Sequence, residues 1–96
     1  MDSHKFPSPH PQVAARIIDG SAVIVLADSG QVNVLNAVGT RIWQLMDGTR
    51  SLREIADVIG AEYDVAPRGA QADVQDFARQ LADAQIIIFQ EQPTLG

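Results

Sequence analysis

The run Gln31 to Met46, QVNVLNAVGTRIWQLM, decides the fold. Its first five residues form a short stretch around β-branched Val32 and Val34 that suits a strand. Asn36 then offers a side-chain oxygen to the unpaired amides of a helix start. Val38, Ile42, Leu45 and Met46 follow at i, i+4, i+7 and i+8, which predicts one buried helical stripe with Trp43 on its flank. Asp47-Gly48 closes the helix, since glycine takes the left-handed conformation common at helix ends.

Upstream of that run the chain reads as sheet. Val13 to Ile18 predicts a first strand, Asp19-Gly20 a two-residue hairpin turn, and Ser21 to Ala27 a second strand. The stretch Ala22 to Ala27 is apolar on both faces, which suits a central strand. Asp28-Ser29-Gly30 turns the chain into the third strand, Gln31 to Leu35. Residues 1–12 carry Pro7, Pro9 and Pro11, a spacing that forbids a helix and predicts a flexible, solvated arm.

Downstream the chain reads as helix. Ser51-Leu52-Arg53-Glu54 is a capping box, and Leu52, Ile55, Ala56 and Ile59 keep helical spacing behind it as far as Tyr63. Val74, Phe77, Ala78 and Leu81 define the stripe of a third helix over residues 70–84, with Asp73, Gln75, Asp76, Arg79, Gln80 and Asp83 on its remaining surface. Ile86 to Phe89 is a β-branched run suited to a short strand or packing segment, and residues 90–96 predict a loose tail. The fold class is therefore α+β: a three-stranded antiparallel sheet followed by three helices, like a winged helix-turn-helix, in one domain over residues 13–89.

Composition narrows the function. Ninety-six residues at 46% hydrophobic content suffice for one core, and the chain has no cysteine for a disulfide or a thiolate nucleophile. No segment approaches the roughly 20 apolar residues of a membrane span, and no signal-type run opens the chain, so a soluble cytoplasmic protein is expected. His4 and His10 lack the neighbours of a metal site. Asp73 and Asp76 share a helix face, for which solvation is the ordinary explanation, and the seven glycines lie at turns and helix ends without phosphate-loop spacing. Neither an enzyme nor a bound cofactor or metal is expected. A net charge of −5, with Arg68 and Arg79 against Asp73, Asp76 and Asp83 in the third helical region, opposes a phosphate backbone and makes a winged-helix DNA-binding regulator the lesser reading.

The third strand is the more informative feature. Gln31 to Leu35 contains no lysine, proline or inward charge of the kind that blunts a sheet edge. Three readings stand side by side: an added peptide strand, cover by Ile86 to Phe89, or edge-to-edge pairing of two copies, so that the chain is a monomer or an edge-paired dimer.

At Leu35-Asn36, Gly39, Ile42-Trp43, Leu45 and Asp47-Gly48, with Tyr63-Asp64-Val65 and Asp73-Val74, Phe77 and Leu81 in order behind them, the chain resembles the PqqD-like peptide-recognition domains over residues 22–89. The resemblance implies binding of the leader segment of a ribosomally made precursor peptide, which adds as a strand to the third strand and lies against the third helix. Carried onto this sequence, the groove uses Gln31, Val32, Asn33, Val34 and Leu35, and Val74, Gln75, Phe77, Ala78, Arg79 and Leu81 from the helix. Two flanks of that helix stand open as the contact surface: Gln71, Gln75 and Arg79 on one side, Asp73, Asp76 and Gln80 on the other. Related chains place glycine just after the last helix where this one has Gln85, which puts the helix exit in question. A free-standing domain of this length is similar to the leader-binding proteins of lasso-peptide pathways, which imply a leader protease and a cyclase as partners. The alternative within the family is the chaperone of pyrroloquinoline quinone synthesis.

Overall fold

The computed structural model describes residues 4–94. Along the chain run β1 (Phe6–Pro9), β2 (Val13–Ile18), β3 (Ser21–Leu26), β4 (Val32–Val34), α1 (Ala37–Leu45), α2 (Leu52–Tyr63), α3 (Pro67–Asp83) and β5 (Ile87–Gln90). β2, β3 and β4 form an antiparallel sheet with β3 in the middle, and β1 pairs antiparallel with β5 in a separate two-stranded sheet. The α+β class and the meander followed by three helices are as the sequence predicts.

The turn chemistry sets the register. Asp19 and Gly20 both adopt positive φ, 52° and 80°, so Ile18 faces Ser21 across a two-residue hairpin. β3 buries Ala22, Ile24 and Leu26 against the helices, whereas Val23 is half-buried and Val25 exposed. β3 is thus central in pairing but covered on one face only. Thr40 ties the sheet to α1: its hydroxyl accepts from the Ala22 amide at 2.9 Å and donates to the Leu35 carbonyl at 3.3 Å. The Ser51 hydroxyl accepts from the Glu54 amide and the Glu54 carboxylate from the Ser51 amide, so the capping box is complete. Ile24, Met46, Leu52, Ile55, Val74 and Ile86 anchor the core.

Two expectations need correction. The N-terminal segment is extended, as its prolines require, but residues 6–9 are not a solvated arm. Pro7 and Ser8 are buried, the Lys5 and Pro7 carbonyls accept from the Leu52 and Gly48 amides, and the His10 amide donates to the Ile86 carbonyl at 2.9 Å. Proline lacks only the donor, and alternate prolines leave each carbonyl able to accept, so the segment fits at the edge of a small sheet. Residues 1–3, like residues 95–96 of the expected tail, lie outside the described residues. The C-terminal segment is likewise held: Gln90 belongs to β5, and the Thr94 amide donates to the Gly48 carbonyl at 2.7 Å.

The exit of α3 follows the usual pattern in spite of its residue. Gln85 adopts a left-handed φ of 62°, its amide donates to Ala82, and the Ile86 amide donates back to Leu81 at 2.8 Å. Those two bonds make a Schellman closure with buried Ile86 against buried Leu81. Glutamine occupies the position that glycine fills at lower steric cost.

Candidate peptide-binding edge

Among the described residues β4 has β3 on one side and no strand on the other. The Leu26 amide donates to the Gln31 carbonyl and the Leu35 amide to the Ala22 carbonyl, both at 2.9 Å. In an antiparallel ladder bonded residues alternate with unbonded ones, so Gln31, Asn33 and Leu35 direct their backbone groups at β3. Val32 and Val34 therefore direct their N–H and C=O groups outward, along the open edge. Two donors and two acceptors stand in one row there.

Strand alternation assigns the faces. Val32 opposite Val25 and Val34 opposite Val23 lie on the outer face, 56% and 66% exposed. Asn33 opposite Ile24 lies on the inner face toward the helices, as does Leu35, and the buried Nδ2 of Asn33 has no hydrogen-bond partner among the described residues. Beyond the Leu35 end of β4 a cleft of about 260 Å³ opens between α1 and α3, lined by Asn36, Val38, Gly39, Ile42, Asp73 and Phe77. Asn36 is held at its mouth as the cap of α1, accepting from the Gly39 amide at 2.8 Å.

The cleft distinguishes the two flanks of α3. Asp73 and Phe77, one helical turn apart, line it; Gln75 and Arg79 lie about 160–200° further round the helix from Phe77, on the opposite flank. Gly39 is the reason α3 comes so close. A Cβ there would stand 3.2 Å from the Phe77 ring and 3.1 Å from the Asn36 side-chain oxygen.

The residues expected from sequence therefore divide. Gln31 to Leu35 form the edge, and Phe77 lines the adjoining cleft. Val74, Ala78 and Leu81 are corrected: they are core residues, buried against the rest of the molecule, and present no surface to a ligand. They repeat at the spacing that marks a buried stripe, which is what the stripe signified. Gln75 and Arg79 do not line the cleft; they lie on the far flank of α3, where Arg79 pairs with Asp76 at 3.5 Å. Asp73 belongs to one of the two flanks that the sequence left open, and Val38, assigned to the core from its spacing, is 41% exposed at the cleft wall. The available signal was Gly39 itself, a poor helix former in a first turn where only close approach explains it.

The β2 edge is open as well, and Ala15 and Ile17 direct their backbone groups along it by the same alternation. No helix wall accompanies that edge, and Arg16 charges it. Ile87 to Gln90 pair with β1, so the segment that could have covered β4 from within the chain does not do so.

The family model for coenzyme PQQ synthesis protein D, PqqD, matches residues 21–87. The structure of TbiB1 in complex with the TbiA(beta) leader peptide is similar at 34% identity and a TM-score of 0.79, over 83% of this chain and 93% of that one. A lasso peptide synthetase B1 complexed with its leader peptide shares the fold at 24% identity and a TM-score of 0.78, over 86% and 98% of the two chains. So does the PqqD truncation of Methylobacterium extorquens PqqCD, a stand-alone recognition element for ribosomally synthesised and post-translationally modified peptides, at 21% identity and a TM-score of 0.66, over 85% and 87%. No curated protein sequence matches the chain significantly. With the family model spanning well over half of its residues, and the sheet, capped helices and Gly39 contact in place, this chain belongs to the PqqD family.

Proposed function

We propose that this protein binds the leader segment of a ribosomally made precursor peptide as a fourth strand on β4 and, without catalysing a reaction itself, delivers it to modifying enzymes, a leader protease and a cyclase of a lasso-peptide pathway. The observation that carries the reading is the open edge at Val32 and Val34 beside the α1–α3 cleft: main-chain groups supply general affinity and the cleft supplies selectivity. The TbiB1 complex supports it, because a protein one-third identical over most of both chains holds a leader peptide. Service to pyrroloquinoline quinone synthesis is the alternative within the family, and it uses the same edge.

A winged-helix DNA-binding regulator is the lesser reading. α3 carries Asp73, Asp76 and Asp83 against Arg68 and Arg79, so it opposes nucleic-acid phosphates. Among the described residues no helix is long and apolar enough to cross a membrane.

The test is a titration of the 15N-labelled protein with precursor leader peptides, the TbiA(beta) leader among them, repeated with Val34→Pro. Proline removes one outward donor and leaves the β3 ladder intact, because Val34 bonds only at the open edge. Saturable binding with amide shifts at Gln31 to Leu35 and at Asp73 to Phe77, lost in the folded variant, is expected. Shifts confined to β2 or α2, or full affinity in Val34→Pro, would overturn the reading.

A further inference from the structure

The walls of the cleft are apolar except at one point. Val38, Gly39, Ile42 and Phe77 form them, the Asn36 side chain is engaged as a helix cap, and Asp73 brings the sole charge among the lining residues. Asp73 makes no ion pair among the described residues, and Arg79 of the same helix pairs with Asp76 on the other flank. An unpaired carboxylate thus stands over an apolar wall at the end of an open strand.

Sheet geometry says what would meet it. Residues directly opposite each other in a ladder place their side chains on the same face. A peptide residue opposite Val34 points outward beside Val34, whereas its neighbour at the Leu35 end points inward, to the side on which α1 and α3 enclose the cleft. Resting on the strand-addition reading, we propose that this cleft selects a long basic side chain, lysine or arginine, at that inward position of the peptide. The methylene stem lies along Val38, Ile42 and Phe77, and the cationic head reaches the Asp73 carboxylate at the rim. The Phe77 ring offers the cation a second attraction, and an acidic residue at the same place would meet a like charge in a chain already at −5.

Asp73 has a competing structural role. It adjoins the first turn of α1, where a helix carries about half a positive charge that any carboxylate favours. The two roles part in the following experiment. Randomised linear peptides are displayed and selected against the wild-type protein, Asp73→Asn and Asp73→Lys, with Val34→Pro as the control without the outward donor. The wild type is expected to enrich lysine or arginine at one register position by about three- to fivefold, the range of a solvent-accessible ion pair. Asp73→Asn should lose that preference, and Asp73→Lys should turn it to aspartate or glutamate at the same position. Should Asp73→Lys not fold, Asp73→Asn carries the test alone. Peptides that Val34→Pro rejects but that show the same charge preference with and without Asp73 would overturn the basic-residue proposal and leave strand addition standing. Lower thermal stability of Asp73→Asn with unchanged selection would assign Asp73 to α1 only, with the same consequence. Peptides indifferent to Val34→Pro, or no enrichment in the wild type, would overturn both.

Discussion

Replacing Gln85 by glycine should stabilise the fold. Gln85 holds φ at 62° to let the Ile86 amide reach Leu81, and for a residue with a Cβ the left-handed conformation costs about 1–2 kcal/mol. Glycine removes that cost but brings a more flexible unfolded chain, which offsets about 0.4–1 kcal/mol. The Gln85 carbonyl accepts from the Gln12 side chain, a bond the substitution keeps, so no contact is lost on the backbone side. The net gain is about 0.5–1 kcal/mol, a rise of about 2–8 °C in thermal midpoint for a domain of this size. Urea unfolding followed by circular dichroism measures it, with a higher midpoint and an unchanged slope expected. Gln85→Ala is the control. Alanine keeps the Cβ and should stay within about 0.5 kcal/mol of the wild type. A Gln85→Gly protein no more stable than the wild type, or an alanine variant gaining as much, would refute the argument that backbone strain rather than side-chain contact distinguishes the position.

Ser51→Ala should cost about 1 kcal/mol, because it removes the acceptor of the Glu54 amide at the start of α2 while the Glu54 side chain keeps its bond to residue 51. Urea denaturation reads this directly, and an unchanged midpoint would mean that the cap contributes nothing. Gly39→Ala gains up to about 1 kcal/mol of helix propensity but sets a methyl 3.2 Å from the Phe77 ring and 3.1 Å from the Asn36 cap oxygen, both of which line the cleft. The expected result is a stability within about 1 kcal/mol of the wild type together with a several-fold loss of leader-peptide affinity in a calorimetric titration; unchanged affinity would show that the cleft takes no part.

Much of the fold was legible because local chemistry and tertiary structure agree. Asp19-Gly20 could turn only one way, Ser51 and Glu54 satisfy each other whatever they pack against, and Val74, Ala78 and Leu81 at helical spacing had to be buried. The N-terminal segment was illegible for the opposite reason. Nothing within residues 6–9 indicates a partner, and the strand exists because Ile87 to Gln90 arrive some 80 residues later to pair with it. The error over Val74, Ala78 and Leu81 has a related cause. A periodic stripe marks the face a helix buries, and a ligand can meet only the shoulders of that face. Which shoulder is exposed to β4 depends on how α1 and α3 approach, and Gly39 settles that through a contact spanning 38 positions of sequence.

The pairing of the termini also bears on the site. The sequence left the β4 edge with three candidate occupants, one of them the chain's own Ile86 to Phe89. In the fold Ile86 is buried in the core and Ile87 to Gln90 are taken by β1. An N-terminal segment that looked like a disposable arm is therefore what engages the competing strand. Were residues 6–9 removed, the backbone groups of β5 would be left without partners, and an unpaired strand is a template for the next available edge. Pro7 and Ser8 belong to the strand that holds β5, and Val32 and Val34 present the edge that β5 leaves open.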